Sequence, residues 1–243
     1  MTGLVRIVLI DPSHPGNIGS VARAMKNMGL ADLVLVRPRD FPHREASALA
    51  AGADDVLANA RVVDTVGEAI ADCVFVAGTT SRPRSYTWEF VTPRDLAARV
   101  GALPGDARAA LLFGSERYGL GTPDLEHCNV LVRIPANPDY CSLNLAMAVQ
   151  LLSYELFLER EQPRTQTQLD QPLAPAGDVE HFYAHLLEVM NEVGFDDRTG
   201  HLMERIRRLF NRAQLDRNEL NILRGLLSAI QGRRGQSRSR NAP

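Results

Sequence analysis

The chain has 243 residues, 45% hydrophobic and 23% charged, and a formal net charge of −2 at pH 7. That composition excludes a wholly disordered, collagen-like or disulfide-stapled protein, and no apolar run reaches the roughly 18 residues of a membrane span. The start of the chain lacks the basic stretch and small-residue cleavage site of a secretory signal. The three cysteines, Cys73, Cys128 and Cys141, form no CxxC pair; together these features predict reduced thiols, a cytoplasmic location and no zinc site.

In chain order, apolar β-branched runs predict strands at 5–10, 33–36, 61–63, 74–78, 110–113 and 130–134. Helical periodicity predicts helices at 17–29, 45–51, 66–71, 93–100 and 123–127, then a long one over 143–160. Strand–helix alternation at this spacing predicts an α/β domain over residues 1–160 with a mainly parallel sheet, buried on both faces. Residues 161–177 hold three Pro and four Gln and read as a linker. Three amphipathic helical stretches follow, making residues 178–232 a small all-helical C-terminal domain, with Asp178 as the expected N-cap of its first helix. Residues 233–243 are rich in Arg and Ser and read as a disordered basic tail.

Charge is segregated along the chain. Residues 198–243 carry eleven Arg against Glu204, Asp216 and Glu219, a local +8, which leaves −10 on residues 1–197. A basic appendage on an acidic body predicts a polyanion partner. Arg205, Arg208 and Arg212 recur at i, i+3 and i+7 and form one stripe flanked by Arg207, either a solvated helix face or a phosphate grip. The basic residues are 26 Arg and one Lys, so Arg frequency by itself carries no signal.

Three loops after strands could carry chemistry. The first, Ser13 to Arg23, is a Gly-containing turn that feeds a helix, but its spacing is neither GxGxxG nor a P-loop. Asn17 is placed to cap that helix. Arg23 lies about 140° from Ile18 on the helix and points away from its buried face; a solvated Arg and a ligand-facing one both fit. His14 is a general-base candidate or an ordinary turn residue. The second loop, 114–121, holds three Gly and one carboxylate, Glu116, at a strand end, where open α/β sheets bind ligands. The third, 135–144, runs into a helix that is apolar nearly all round; Ser142 fits either its N-cap or a site.

Taken in order, Asn17-x-Gly19-x-x-x-Arg23, then Leu112-Phe113-Gly114-x-Glu116-x-x-Gly119-Leu120, then Ile134-Pro135 with Ser142-Leu143-Asn144-Leu145-Ala146 resembles the three motifs of the SpoU branch of the SPOUT RNA methyltransferases. The resemblance covers residues 4–160. Residues 16–28 and 137–150, with the helical extension, are similar to one subfamily, the bacterial tRNA 2′-O-ribose methyltransferases acting on cytidine or uridine at nucleotide 32 of the anticodon loop.

The resemblance implies a C-terminal trefoil knot in the α/β sheet, although general topology rules argue against knots. It implies a homodimer that binds S-adenosylmethionine, releases S-adenosylhomocysteine and needs no metal. It places the cofactor on Thr79, Thr80, Ser81, Gly114, Glu116, Ile134, Cys141, Ser142 and Leu143. It brings Arg23 to the ribose 2′-oxygen, where a guanidinium suits charge stabilisation better than base catalysis. It also gives catalytic positioning to Ser142, Asn144 and Asn17. Arg82 and Arg84 follow the 79–81 segment and, with Arg205, Arg208 and Arg212, are RNA-phosphate candidates. The alternatives are 2′-O-methylation at another tRNA position or of rRNA, a non-catalytic RNA-binding protein of the same fold, and a small-molecule α/β enzyme, which the missing GxGxxG disfavours.

Overall fold

The computed structural model describes residues 5–81, 88–160, 171–195 and 200–240. Arg82, Arg84 and most of the expected linker lie outside the described residues.

The strands are β1 (Val5–Ile10), β2 (Asp32–Val36), β3 (Arg61–Val63), β4 (Phe75–Thr79), β5 (Phe90–Val91), β6 (Ala109–Phe113) and β7 (Val130–Val132). They form one sheet in the order β3-β2-β1-β6-β4-β7-β5, and every pairing is parallel. Two-sided burial explains the continuous apolar runs. Alternate strand residues feed two cores. Ile7, Leu9, Leu111 and Phe113 face one, covered by α1 (Pro15–Asn27), α2 (Arg44–Ala50), α3 (Asp54–Ala58), α5 (Pro93–Gly101) and α7 (Leu145–Arg160). Val8, Ile10, Leu112 and Leu131 face the other, covered by α4 (Val66–Ile70) and α6 (Thr122–Leu125).

The sheet's one buried cation sits at the amino end of β1 among the described residues. Arg6 is 2% exposed and donates to Asp32, Asp72 and the Ala69 carbonyl. It lies between Val5 and Ile7 on β1 and beside Asp32 on β2, and its paired hydrogen bonds are what make that burial tolerable.

Close approach of α1 and α2 depends on Gly19. A Cβ there would lie 2.0 Å from the Ala46 carbonyl oxygen, far inside contact distance, and that oxygen belongs to a helix backbone that cannot yield cheaply.

The helical domain consists of α8 (Ala176–Val193), α9 (Leu202–Ala213) and α10 (Arg217–Arg240). Phe182, Tyr183, Val189, Leu220 and Leu227 form its core, with Phe210 edge-on to Phe182 at 5.2 Å between ring centroids. Asn211 ties this domain to the sheet domain. Its Nδ2 donates to the Glu126 carbonyl at 2.8 Å, its own carbonyl accepts from Asn129 at 2.6 Å, and its Oδ1 accepts from the Tyr183 hydroxyl at 2.8 Å. Arg207 sits beside it, donating to Glu180 at 2.6 Å and lying 4.5 Å from the Tyr183 ring centroid.

Several expectations need correcting. β5, two residues long, and α3, five residues long, are elements that the apolar pattern does not predict. α8 begins two residues before Asp178, with Pro175 as its N-cap residue. The Ala176 N–H bonds the Cys73 carbonyl at 2.7 Å, so the helix start is set by docking on the sheet domain. The end of the expected linker is docked as well: Leu173 pairs with Asp216, and Ala174 is buried. The expected disordered tail is helical as far as Arg240, because extending a formed helix costs far less than nucleating one. Arg207, expected to flank the arginine stripe, turns inward to Glu180.

Glu180 supplies a test of the domain junction. Burial would raise its pKa, but hydrogen bonds from His127 and Arg207 prevail and hold it at about 2. An unfolded Glu titrates near 4.3, so the ionised form contributes stability above that value and loses it as pH falls through the folded value of about 2. Glu180→Gln should cost about 2 kcal/mol near neutral pH in denaturant unfolding. The gap to wild type should close as pH falls from ~4 toward ~2; a gap that persists at the acid end would contradict this account.

Candidate functional site

The chain winds outward from β1 to β2 and β3 on one side, and β6, β4, β7 and β5 lie on the other. Between β1 and β6 the order reverses, and a crevice opens beyond the carboxyl ends of the strands. The loop after β1 and the loop after β6 meet there. Glu116 joins them. Its Oε2 accepts from the Ser13 backbone at 3.0 Å and the Ser13 hydroxyl at 2.7 Å; its Oε1 accepts from Asn17 Nδ2 at 2.9 Å and the His14 backbone at 3.4 Å. Burial alone would raise its pKa, but the bonds from Asn17 and Ser13 outweigh that and hold the carboxyl below the usual carboxylate range.

Asn17 extends the link to the third loop: its Oδ1 accepts from Asn144 Nδ2 at 3.1 Å. Asn17 therefore does not cap α1. It lies inside the first turn, and His14 occupies the cap position without a side-chain bond. Ser142 does not begin α7 either. Asn144 does, its Oδ1 accepting from the Ala146 N–H at 2.9 Å.

These three loops and the end of β4 enclose a cavity of about 680 Å³, within the usual range for small-ligand sites. All nine positions expected to hold a cofactor line it: Thr79, Thr80 and Ser81 after β4; Gly114 and Glu116 after β6; Ile134, Cys141, Ser142 and Leu143 after β7. Asn17 and Asn144 line it too. The Glu116 carboxylate is committed to the loop after β1 and to Asn17. Gly114 is required by the loop itself: a Cβ there would lie 2.0 Å from the Gly119 backbone, which folds back to bond Ser115. Thr79 is held by its hydroxyl on the Leu112 carbonyl at 3.0 Å. Polar side chains such as Thr79, Ser81, Ser142 and Asn144 line it beside the apolar Ile134, Leu143 and Ala148.

Arg23 does not line this cavity in its own chain. It is exposed on α1, well along the helix from Asn17. Tyr118 and Tyr140, 63% and 79% exposed, stand at the cavity; no spacing or pattern of their own marks them in the sequence, though both lie inside the matched motif segments. Arg205, Arg208 and Arg212 lie elsewhere, together along a separate groove. The exposed Cys141 is the cavity's thiol, while burial pushes Cys73 up to about 12. Among the described residues, no group of three or more His, Cys, Asp or Glu side chains is arranged to hold a metal, and no helix is long and apolar enough to cross a membrane.

A parallel sheet with a ligand cavity framed by these three loops defines an α/β protein of the SPOUT type. The SpoU rRNA Methylase family model matches residues 4–154, and the chain belongs to that family. The model for the C-terminal domain of the tRNA methyltransferase TrmJ matches residues 177–241. The chain is 47% identical over 234 residues to the tRNA (cytidine/uridine-2′-O-)-methyltransferase TrmJ of Yersinia enterocolitica, covering 93% of this chain and 91% of that relative. The crystal structure of TrmJ from Z. mobilis ZM4 superposes with a TM-score of 0.84 at 36% identity, covering 94% of this chain and 100% of the other. The fold is shared with the SpoU methyltransferase AviRb from Streptomyces viridochromogenes, solved in complex with AdoMet (TM-score 0.52, 23% identity, covering 65% of this chain and 61% of that chain).

Glu116→Gln tests the clamp. A Gln side chain offers one acceptor oxygen where the carboxylate offers two, so the loop after β1 should loosen. Hydrogen bonds to a charged acceptor contribute about 1.5–3 kcal/mol, so amide exchange at Ser13 and His14 should accelerate at least tenfold, with the interiors of β1 and β6 unchanged. Equal exchange in both proteins would rule the clamp out.

Proposed function

We propose that this protein transfers a methyl group from S-adenosylmethionine to a ribose 2′-hydroxyl of tRNA, at a cytidine or uridine at nucleotide 32 of the anticodon loop. The observation that carries the reading is the convergence of all three motif loops on one cavity, in a chain that matches the TrmJ relative along nearly its whole length. We extend the reading to a trefoil knot formed by the two loops after β6 and β7, to a cytoplasmic location, and to release of S-adenosylhomocysteine without a metal.

S-adenosylmethionine supplies a methyl carbon already activated by its sulfonium. In the transfer a C–O bond to the 2′-oxygen would replace the C–S bond, with the hydroxyl proton passing to solvent. The residues after β4 and β7 hold the cofactor, and Gly114 gives it close backbone access. Ser142 and Asn144 orient ribose and cofactor, and Asn17 keeps Asn144 in register through their hydrogen bond. Arg23 stabilises the charge that develops on the 2′-oxygen.

Arg23 needs a route to a cavity that its own chain does not offer, and a second copy supplies it. The face of α7 away from the core carries Met147, Leu151, Tyr154 and Leu158, 61%, 43%, 46% and 36% exposed, at helical spacing. α7 packs beside α1, the helix of Arg23. A two-fold pairing through α7 uses this apolar stripe twice and brings Arg23 near the partner's cavity.

Arg23→Ala should lower single-turnover methyl transfer by on the order of 10²–10³ while calorimetry finds S-adenosylmethionine binding retained; unchanged turnover would remove Arg23 from the mechanism. The wild type should have a dimer's mass by light scattering at micromolar concentration. Leu151→Glu should give a folded monomer without methyl transfer, and a fully active monomer would exclude the shared site.

A further inference from the structure

A second groove, of about 590 Å³, lies at the opposite end of the sheet from the cavity. The segment leading into β5 forms its floor through Trp88 and Glu89, and α9 forms its wall through Arg205, Arg208 and Arg212. Those three cations face one carboxylate, Glu89, which is already paired with Arg99. The groove is therefore strongly positive, although residues 1–197 as a whole carry −10.

Aromatic rings accompany the charge. The Arg208 guanidinium lies 6.0 Å from the Trp88 ring centroid. Farther along the same edge, the Arg133 guanidinium lies 4.5 Å from the ring centroid of Phe90, which is 37% exposed. Backbone bonds from Leu131 to Glu89 and from Arg133 to Val91 keep this segment extended, so Trp88 and Phe90, two residues apart, present their rings on one face. β5 is the edge strand. The line of rings and guanidinium groups ends at Arg133, next to Ile134 in the cavity wall. From Asn129 to Ile134 it covers about 17 Å at ~3.3 Å per residue.

Cationic groups along a groove, alternating with aromatic faces, are the chemistry of single-stranded nucleic-acid binding: phosphates meet the cations and bases stack on the rings. We propose that the β5 edge and the Arg face of α9 form a track for a single-stranded stretch of the RNA substrate, with phosphates on Arg205, Arg208 and Arg212 and bases against Trp88 and Phe90. Trp88 is half-buried against the sheet core and Phe90 is 37% exposed, and the guanidinium groups over these rings would move aside for an incoming base. The inference rests on the proposed function in taking the substrate to be RNA, and it adds a binding surface made jointly by both domains.

Trp88 is the only tryptophan in the chain, so its emission reports on this groove alone. The full chain is titrated with a single-stranded uridine decamer, with a duplex of the same length, and with tRNA. The decamer and tRNA should quench Trp88, and the duplex should not. Arg208→Ala combined with Arg212→Ala should weaken decamer binding at least tenfold and flatten the slope of log affinity against log salt by about 1.4, at roughly 0.7 per lost phosphate contact. Trp88→Leu fills similar space without a π face and should weaken binding several-fold; thermal unfolding and S-adenosylmethionine affinity establish that each variant is folded. Unchanged emission at saturating RNA, or wild-type affinity and slope in the double Arg variant, would overturn the track. Methyl transfer is followed on the same samples. A chain that methylates tRNA with a silent Trp88 overturns the track alone, and one that quenches with RNA but transfers no methyl group overturns the proposed function alone.

Discussion

The arrangement of the site depends on one carboxylate. Glu116 sits where the strand order reverses, and it accepts four hydrogen bonds from the loop after β1. Two loops that leave the sheet on either side of that reversal would otherwise be free to separate. Asn17, held by Glu116, in turn holds Asn144, so the loop preceding α7 joins the same set. The conformational entropy of three loops is thus restrained by a short chain of polar contacts. Because each contact presupposes the one before it, the walls of the cavity form together, and loss of the anchor is felt in the loop farthest from it.

The helical domain is joined to the sheet by a comparable device. Asn211 uses its carboxamide and its backbone carbonyl to reach Glu126, Asn129 and Tyr183, and Arg207 meets Glu180 beside it. These are buried or half-buried polar bonds with defined partners, and such bonds specify orientation more than they add stability. They explain why α9 presents its remaining arginines to the β5 edge rather than to open solvent.

Much of this was legible in the residues. Parallel strands buried on both faces announce themselves as apolar runs such as 7–10 and 110–113, and the helices between them by period. β5 was not legible: it is two residues long, and its place at the sheet edge comes from pairing with β7. The cavity residues were legible only because three loops distant in sequence match the motifs of one family. No local feature of Asn17 distinguishes a cap from a bridge, and the structure makes it a bridge. The inward turn of Arg207 was equally hidden, because helical spacing placed it beside Arg208 and its partner Glu180 lies on a different helix. Trp88 carried no signal at all, since its significance lies in what α9 brings to it from more than a hundred residues away.

Gly19 sets a mechanical limit on the molecule. With the Ala46 carbonyl so close that no side chain fits between the helices, α1 and α2 are locked in both rotation and height. Sliding of one helix past the other, a common way for packed elements to accommodate a ligand, is closed to this pair. Any displacement that carries Arg23 must carry α2 with it as one rigid unit, pivoting about the ends of β1 and β2, so the freedom of this face resides in its connecting turns and not in its helix packing.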